Sequence, residues 1–247
     1  IKEDYLRILR YIRFFLNYSK HPHNPEVIKS LKINIGGVSK LSKERLLDEL
    51  KKLIKIDTLE KLVRDKFNLE LILMIFPELK NVKIFSKLDE SNKNLLKDKD
   101  YIFLISLMII DETDNTDYFF YKYNVSKKDK KRVKIIDNFY KEKINTKTFT
   151  EKNLNQIFYY SGKQAVLDIL KFRMIKSKKT DEILQKLCEI FENKTIPSMP
   201  VTAGMLIKKY NLSEGKQLGE KLRMIEEEWV KNSFKISNQQ IENIVHN

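Results

Sequence analysis

The stretch Glu3-Asp4-Tyr5-Leu6-Arg7-Ile8-Leu9-Arg10-Tyr11-Ile12-Arg13-Phe14 decides how the rest of the sequence is read. On a helix turning about 100° per residue, Tyr5, Ile8, Leu9, Ile12 and Leu16 share one apolar face between Asp4 and Tyr18. Asp4, Arg7, Arg10 and Arg13 spread over the opposite side. The arginines, at i, i+3 and i+6, cover about 120° of the helix surface. Guanidinium groups present planar forks of donors that suit phosphates and nucleobase edges, and a carboxylate beside them can accept from an exocyclic amine or hold a fork in plane. Arginines on a helix face are equally at home in water or paired with acidic neighbours, so spacing alone leaves both readings open. The cluster stands out because only 8 of the 48 basic residues are arginine.

Outward from this helix the periodicity stays helical, and no succession of segments alternates with period two. Gly 6 and Pro 5 are too few for a protein of many tight β-turns. The expectation is an all-α chain of about ten to twelve helices. Breakers fall between periodic segments: Pro22 and Pro25 close the first helix, Gly36-Gly37 mark a turn, and Pro77 ends a helix near Phe76. Ser42 can cap a helix running to Leu53, in which Arg45 and Glu49 are i,i+4 neighbours. A polar break covers Asn81 to Asn94. The nearly apolar run Tyr101 to Ile110, flanked by Asp100 and Asp111, is about half a bilayer span and reads as a buried helix. Tyr118 to Tyr123 read as core or interface residues, with base stacking as the other use. Lys127 to Arg132 form a basic knot at a helix start. Ser161-Gly162 precede a helix over Lys163 to Lys176, and further helices are expected over Asp181 to Glu192 and within Pro200 to Phe234.

The net charge of +14 favours polyanions through counterion release. Abundant lysine, asparagine and isoleucine also fit AT-rich codon usage, which would produce the same surplus without a functional cause. The lone Cys188 supports neither a disulfide framework nor a thiolate zinc site, and reads as a core residue in a reducing, cytoplasmic setting. His21-Pro22-His23 is too sparse for a metal site and reads as a surface loop. No membrane segment or signal peptide is visible. An opening isoleucine suggests a portion of a longer product.

The first stretch resembles the E-D-x-x-R-x-x-R-x-x-R-F element of class II tRNA nucleotidyltransferases, the family of bacterial CCA-adding enzymes and bacterial poly(A) polymerases. Leu41-Ser42-Lys43-Glu44-Arg45-Leu46-Leu47-Asp48-Glu49-Leu50 is similar to the family's S-x-E-R-[IL]-x-x-E helix, and Phe76-Pro77-Glu78-Leu79 to its F-P-E-L. Pro200 to Ile207, Gly215 to Leu222, and Glu227, Trp229 and Phe234 resemble the family's tail pattern. There Met205 replaces an aspartate, Tyr210-Asn211 stand where glycine is common, and Lys216 replaces proline.

The resemblance implies an elongated multi-helix array: a nucleotide-selecting neck over 1–80, a helical body over 81–195 and a tRNA-binding tail over 196–247. It implies that Asp4, Arg7, Arg10 and Arg13 meet the incoming ATP or CTP, with Asp4 and Arg7 pairing with its base. Glu3, Glu44 and Arg45 would support them. Lys208, Lys209, Gly215 and Lys216 would contact the tRNA, whose acceptor and T-arm stem the family grips. The family's Mg2+ is bound by a catalytic head bearing Gly-Ser and D-x-D motifs ahead of the neck. Asp98-Lys99-Asp100 lies after the neck, lacks a preceding Gly-Ser, and reads as a charged helix entry. The expected activity is 3′-CCA addition to tRNA by the whole enzyme, with this portion inactive alone. Adenylate addition to RNA 3′ ends, or RNA binding by a non-catalytic helical module, are the alternatives.

Overall fold

A computed structural model describes residues 3–86, 88–142, 149–177 and 181–246. Among them are fifteen α-helices and no strand. The chain is all-α, as its periodicity requires. The helices are α1 (Leu6–Tyr18), α2 (Pro25–Asn34), α3 (Lys43–Leu53), α4 (Ile56–Arg64), α5 (Lys66–Ile75), α6 (Glu90–Leu96), α7 (Tyr101–Ile109) and α8 (Asn115–Lys122). They continue with α9 (Lys127–Lys141), α10 (Glu151–Ser161), α11 (Lys163–Lys176), α12 (Glu182–Asn193), α13 (Ala203–Tyr210), α14 (Lys216–Lys231) and α15 (Asn238–His246). Short 3-10 turns occupy Ile35–Lys40 and Val82–Ser86.

Local chemistry sets most helix starts. Side-chain oxygens of Asn24, Ser42, Asp65, Asp89, Asp100, Ser126, Thr150, Asp181 and Thr202 accept otherwise orphaned first-turn amides. Asp100 caps α7 through the Phe103 amide, so Asp98-Lys99-Asp100 is a helix entry. The count exceeds the expected ten to twelve because α2, α6 and α15 are additional short helices. Pro25 does not merely close α1: it opens α2, where a missing N–H costs nothing. Likewise, the stretch from Asn81 to Asn94 is not simply a polar break, since Val82 and Phe85 are buried in a 3-10 turn and Asp89 starts α6.

The chain divides into two compact units, 1–143 with 171–179, and 144–170 with 180–247. In the first, α1 packs on α3 and α4, α4 packs against the Val82–Ser86 turn, and α7 packs against α8 and α9. Every α7 residue from Ile102 to Ile109 is buried. The F-P-E-L segment is an anchor: Phe76 and Leu79 are buried, and buried Glu78 accepts from Lys122 at 2.8 Å and the Tyr123 hydroxyl at 3.3 Å. Of the aromatic stretch, Phe119, Phe120 and Tyr123 are core while Tyr118 and Tyr121 are exposed.

In the second unit α14 packs against α10, α13 and α15. Its core includes Val201, Leu206, Leu218, Ile225, Ile241 and Val245. Trp229 is boxed by Tyr159 and Phe234, with centroids 5.5 and 5.1 Å away. Cys188 is buried in the core, as its apolar helical setting requires.

Candidate functional site

The site grows from the N-terminal turn of α1. Leu6, Ile8, Leu9, Ile12 and Leu16 are buried, which fixes the rotation of the helix and turns Arg7 and Arg10 outward. Asp4 stands at its mouth. Its carboxylate accepts the Leu6 amide at 3.0 Å and takes the Arg45 guanidinium on both oxygens, each at 3.0 Å. The Leu6 amide and the Arg45 and Arg10 charges outweigh partial desolvation and hold the Asp4 carboxyl below its ordinary range. Arg45 is itself placed by α3, whose Ser42 cap accepts the Arg45 amide.

The second support is Glu49, one α3 turn further on. Its side chain is only 2% exposed, yet it receives Arg13 at 3.1 Å, Lys52 at 2.8 Å and, more loosely, Arg10 at 3.8 Å. Burial alone would raise its pKa, but hydrogen bonds from Lys52 and Arg13 overcome this and keep it low. Arg45 and Glu49 therefore do not act as an intrahelical i,i+4 pair. Each reaches across to α1, because the buried side of α3 faces that helix. Glu44 lies to one side, accepting from Asn124 at 3.0 Å. Arg7 lies 3.1 Å from Glu3, with both side chains more than half exposed.

Two further supports were not visible as such in the sequence. The Tyr5 ring lies against Gly37, where a Cβ would come within 2.1 Å of it, while the same atom at Gly36 would meet open space. His23 does not lie on the surface with His21: its side chain is 13% exposed and stacks on Phe15 at 3.6 Å. Its Nδ1 is 2.7 Å from the Tyr11 hydroxyl and its Nε2 is 2.9 Å from Asp65, the α5 cap. Phe15 is near in sequence, but Asp65 lies 42 residues on, and nothing in the sequence marks the two as partners of His23.

The tail candidates lie in the second unit. Asn211 adopts the left-handed conformation after α13, with φ 52°, so it does the work of the expected glycine. Gly215, at φ 142°, then starts α14 without a side-chain cap. Lys208 is exposed, Lys209 lies 3.7 Å from Glu242, and Lys216 lies 3.8 Å from Glu220 with its side chain 91% exposed. Lys216 at the first helical position preserves the helix-turn-helix plan without proline.

No three His, Cys, Asp or Glu side chains converge to hold a metal among the described residues. Asp100 is engaged by the α7 cap and by Arg132. Among the described residues the carboxylates therefore do not fit a magnesium centre.

A profile of the family described as tRNA nucleotidyltransferase domain 2 matches residues 95–245. The chain belongs to the tRNA nucleotidyltransferase family. Similarity to individual tRNA nucleotidyltransferases extends over α1 as well. The chain is 27% identical to CCA tRNA nucleotidyltransferase 1, mitochondrial, of Homo sapiens over 256 residues, covering 98% of this chain and 55% of that protein. The same figures hold for the protein of that name from Mus musculus. It is also 26% identical to the CCA-adding enzyme of Staphylococcus haemolyticus over 238 residues, covering 91% of this chain and 56% of that protein. The chain thus spans about half the length of the curated relatives it matches.

Proposed function

We propose that this chain is the nucleotide-selecting and tRNA-holding portion of a template-independent nucleotidyltransferase that builds or repairs the 3′-terminal CCA of tRNA from CTP and ATP. The observation that carries this reading is the mouth of α1, where Asp4 is held ionised and in plane by Arg45 beside an outward-facing Arg7. Cytosine and adenine share one feature: an exocyclic amine next to an unprotonated ring nitrogen. A carboxylate accepts from the amine and a guanidinium donates to the ring nitrogen. Uracil and guanine present the reverse pattern, a carbonyl next to a ring N–H, and would leave both protein groups opposed. The exposed Glu3–Arg7 pair contributes little and can release Arg7 to a base. Arg10 and Arg13, anchored on Glu49, would serve the triphosphate or the nucleotide's outer edge.

The transfer step belongs to the whole enzyme, whose magnesium would sit on carboxylates that these residues do not supply. Lys208, Lys209, Gly215 and Lys216 would meet RNA phosphates, where the uncapped N-terminus of α14 offers amides to an anion. No helix among the described residues is long and apolar enough to cross a membrane. The lone Cys188 leads us to propose a reducing, cytoplasmic setting.

The test is extension of a tRNA lacking its CCA by the full-length protein. Addition of C, C and A from CTP and ATP supports the reading. Inactivity on that substrate with adenylate addition to generic RNA would replace it by the poly(A) polymerase reading, and binding of RNA without any addition by a helical module.

A further inference from the structure

The outer side of α1 carries two residues that nucleotide selection does not use. Phe14 is 49% exposed and Tyr18 is 74% exposed, on a helix whose opposite face is almost wholly buried. Taking about 100° per residue, Arg7, Arg10, Phe14 and Tyr18 lie within about 80° of one another, on the side away from Leu9, Ile12 and Leu16. They form one exposed strip, about 16 Å long at 1.5 Å per residue. Water should favour polar side chains at those positions. Instead, two aromatic rings sit 6.0 Å apart, tilted by 31°. Arg13 lies over the Phe14 ring at 4.4 Å and is itself fixed by buried Glu49, so the ring is braced.

We propose that Phe14 and Tyr18 form a stacking subsite for the unpaired 3′-terminal nucleotides of RNA. This rests on the nucleotide-selecting reading of the same helix. Charge complementarity commits the strip to this occupant. Arg7 and Arg10 continue it towards Asp4 and add a positive field that draws a polyanion along the strip, while the rings accept any base through its π-face. A bound strand would lie along the strip with its end directed to the base-reading mouth. An apolar protein partner would gain nothing from the two exposed guanidiniums in line with the rings.

The experiment uses this chain, a fluorescently labelled single-stranded hexacytidylate, and a blunt RNA duplex of the same charge. Phe14→Ala with Tyr18→Ala should weaken binding to the single strand between about five-fold and a hundred-fold, with duplex binding and melting temperature unchanged. Phe14→Leu with Tyr18→Leu keeps apolar bulk without a π-face and should show the same loss. Tyr18→Trp should retain affinity and its fluorescence should be quenched by the single strand, Trp229 being buried. Unchanged affinity in the alanine variant, equal loss on the duplex, or full affinity in the leucine variant would each overturn the subsite. Failure of the underlying reading looks different. If Asp4→Ala leaves nucleotide choice intact in the full-length enzyme while the aromatic variants lose single-strand binding, the selection role falls and the stacking subsite stands.

Discussion

Glu49 concentrates more of the site's energetics than any residue that faces solvent, since one buried carboxylate gathers Arg13, Lys52 and Arg10. Its partners are partly exposed and can rehydrate, so Glu49→Gln should cost about 1–3 kcal/mol of stability at neutral pH by urea denaturation, short of a fully buried pair's loss. The pH dependence has a definite sign. The folded-state pKa of Glu49 lies below its ordinary 4.5, so its contribution is complete above that value and is lost as pH falls through the lowered one. The stability gap between wild type and Glu49→Gln should therefore shrink on acidification below 4.5. A gap constant across that range would contradict the ion-pair account. Adjacent glycines offer a sharper contrast. Gly37→Ala forces a Cβ into the Tyr5 ring and should cost about 1–2 kcal/mol by crowding, whereas Gly36→Ala has room and should be nearly neutral. Equal effects in thermal melts would show that Tyr5 does not rest there.

At the scale of the element, the caps make separable claims. Asp89 accepts the Asn92 amide at the exposed start of α6, so Asp89→Ala should cost about 1 kcal/mol. Asp65 caps α5 and also receives His23 and the Asn68 side chain. Its replacement by alanine should cost about 2–3 kcal/mol, because His23 loses its partner within a stack of aromatic rings. Denaturant midpoints compare the two directly. Helix α1 and the α10–α11 boundary at Ser161-Gly162 were legible because periodicity and breaker agree there. The role proposed for Asp4 beside Arg7 rests on family resemblance, because spacing alone left the helix face open to a purely solvated reading. Three features escaped for one physical reason, that at least one decisive partner of each is remote in sequence. Arg45 turns to Asp4 rather than Glu49, His23 is enclosed by Phe15, Phe67 and Asp65, and Gly37 is reserved for Tyr5. Pro25 misled because proline both ends helices and begins them.

At the scale of the molecule, the +14 charge predicts RNA binding that weakens steeply with salt. A plot of log affinity for tRNA against log salt should be linear with a slope of several units, about one per phosphate neutralised. Salt-insensitive binding would remove the phosphate contacts assigned to Lys208, Lys209 and Lys216. The central claim, however, is that the α1 mouth chooses the nucleotide. The direct measurement is the ratio of CTP to UTP and of ATP to GTP incorporation into tRNA lacking its CCA, by full-length wild type and its Asp4→Ala variant. The account predicts strong preference for CTP and ATP in the wild type, its collapse in the variant, and tRNA affinity that stays the same. Discrimination that survives in Asp4→Ala, with loss only of tRNA affinity, would contradict it.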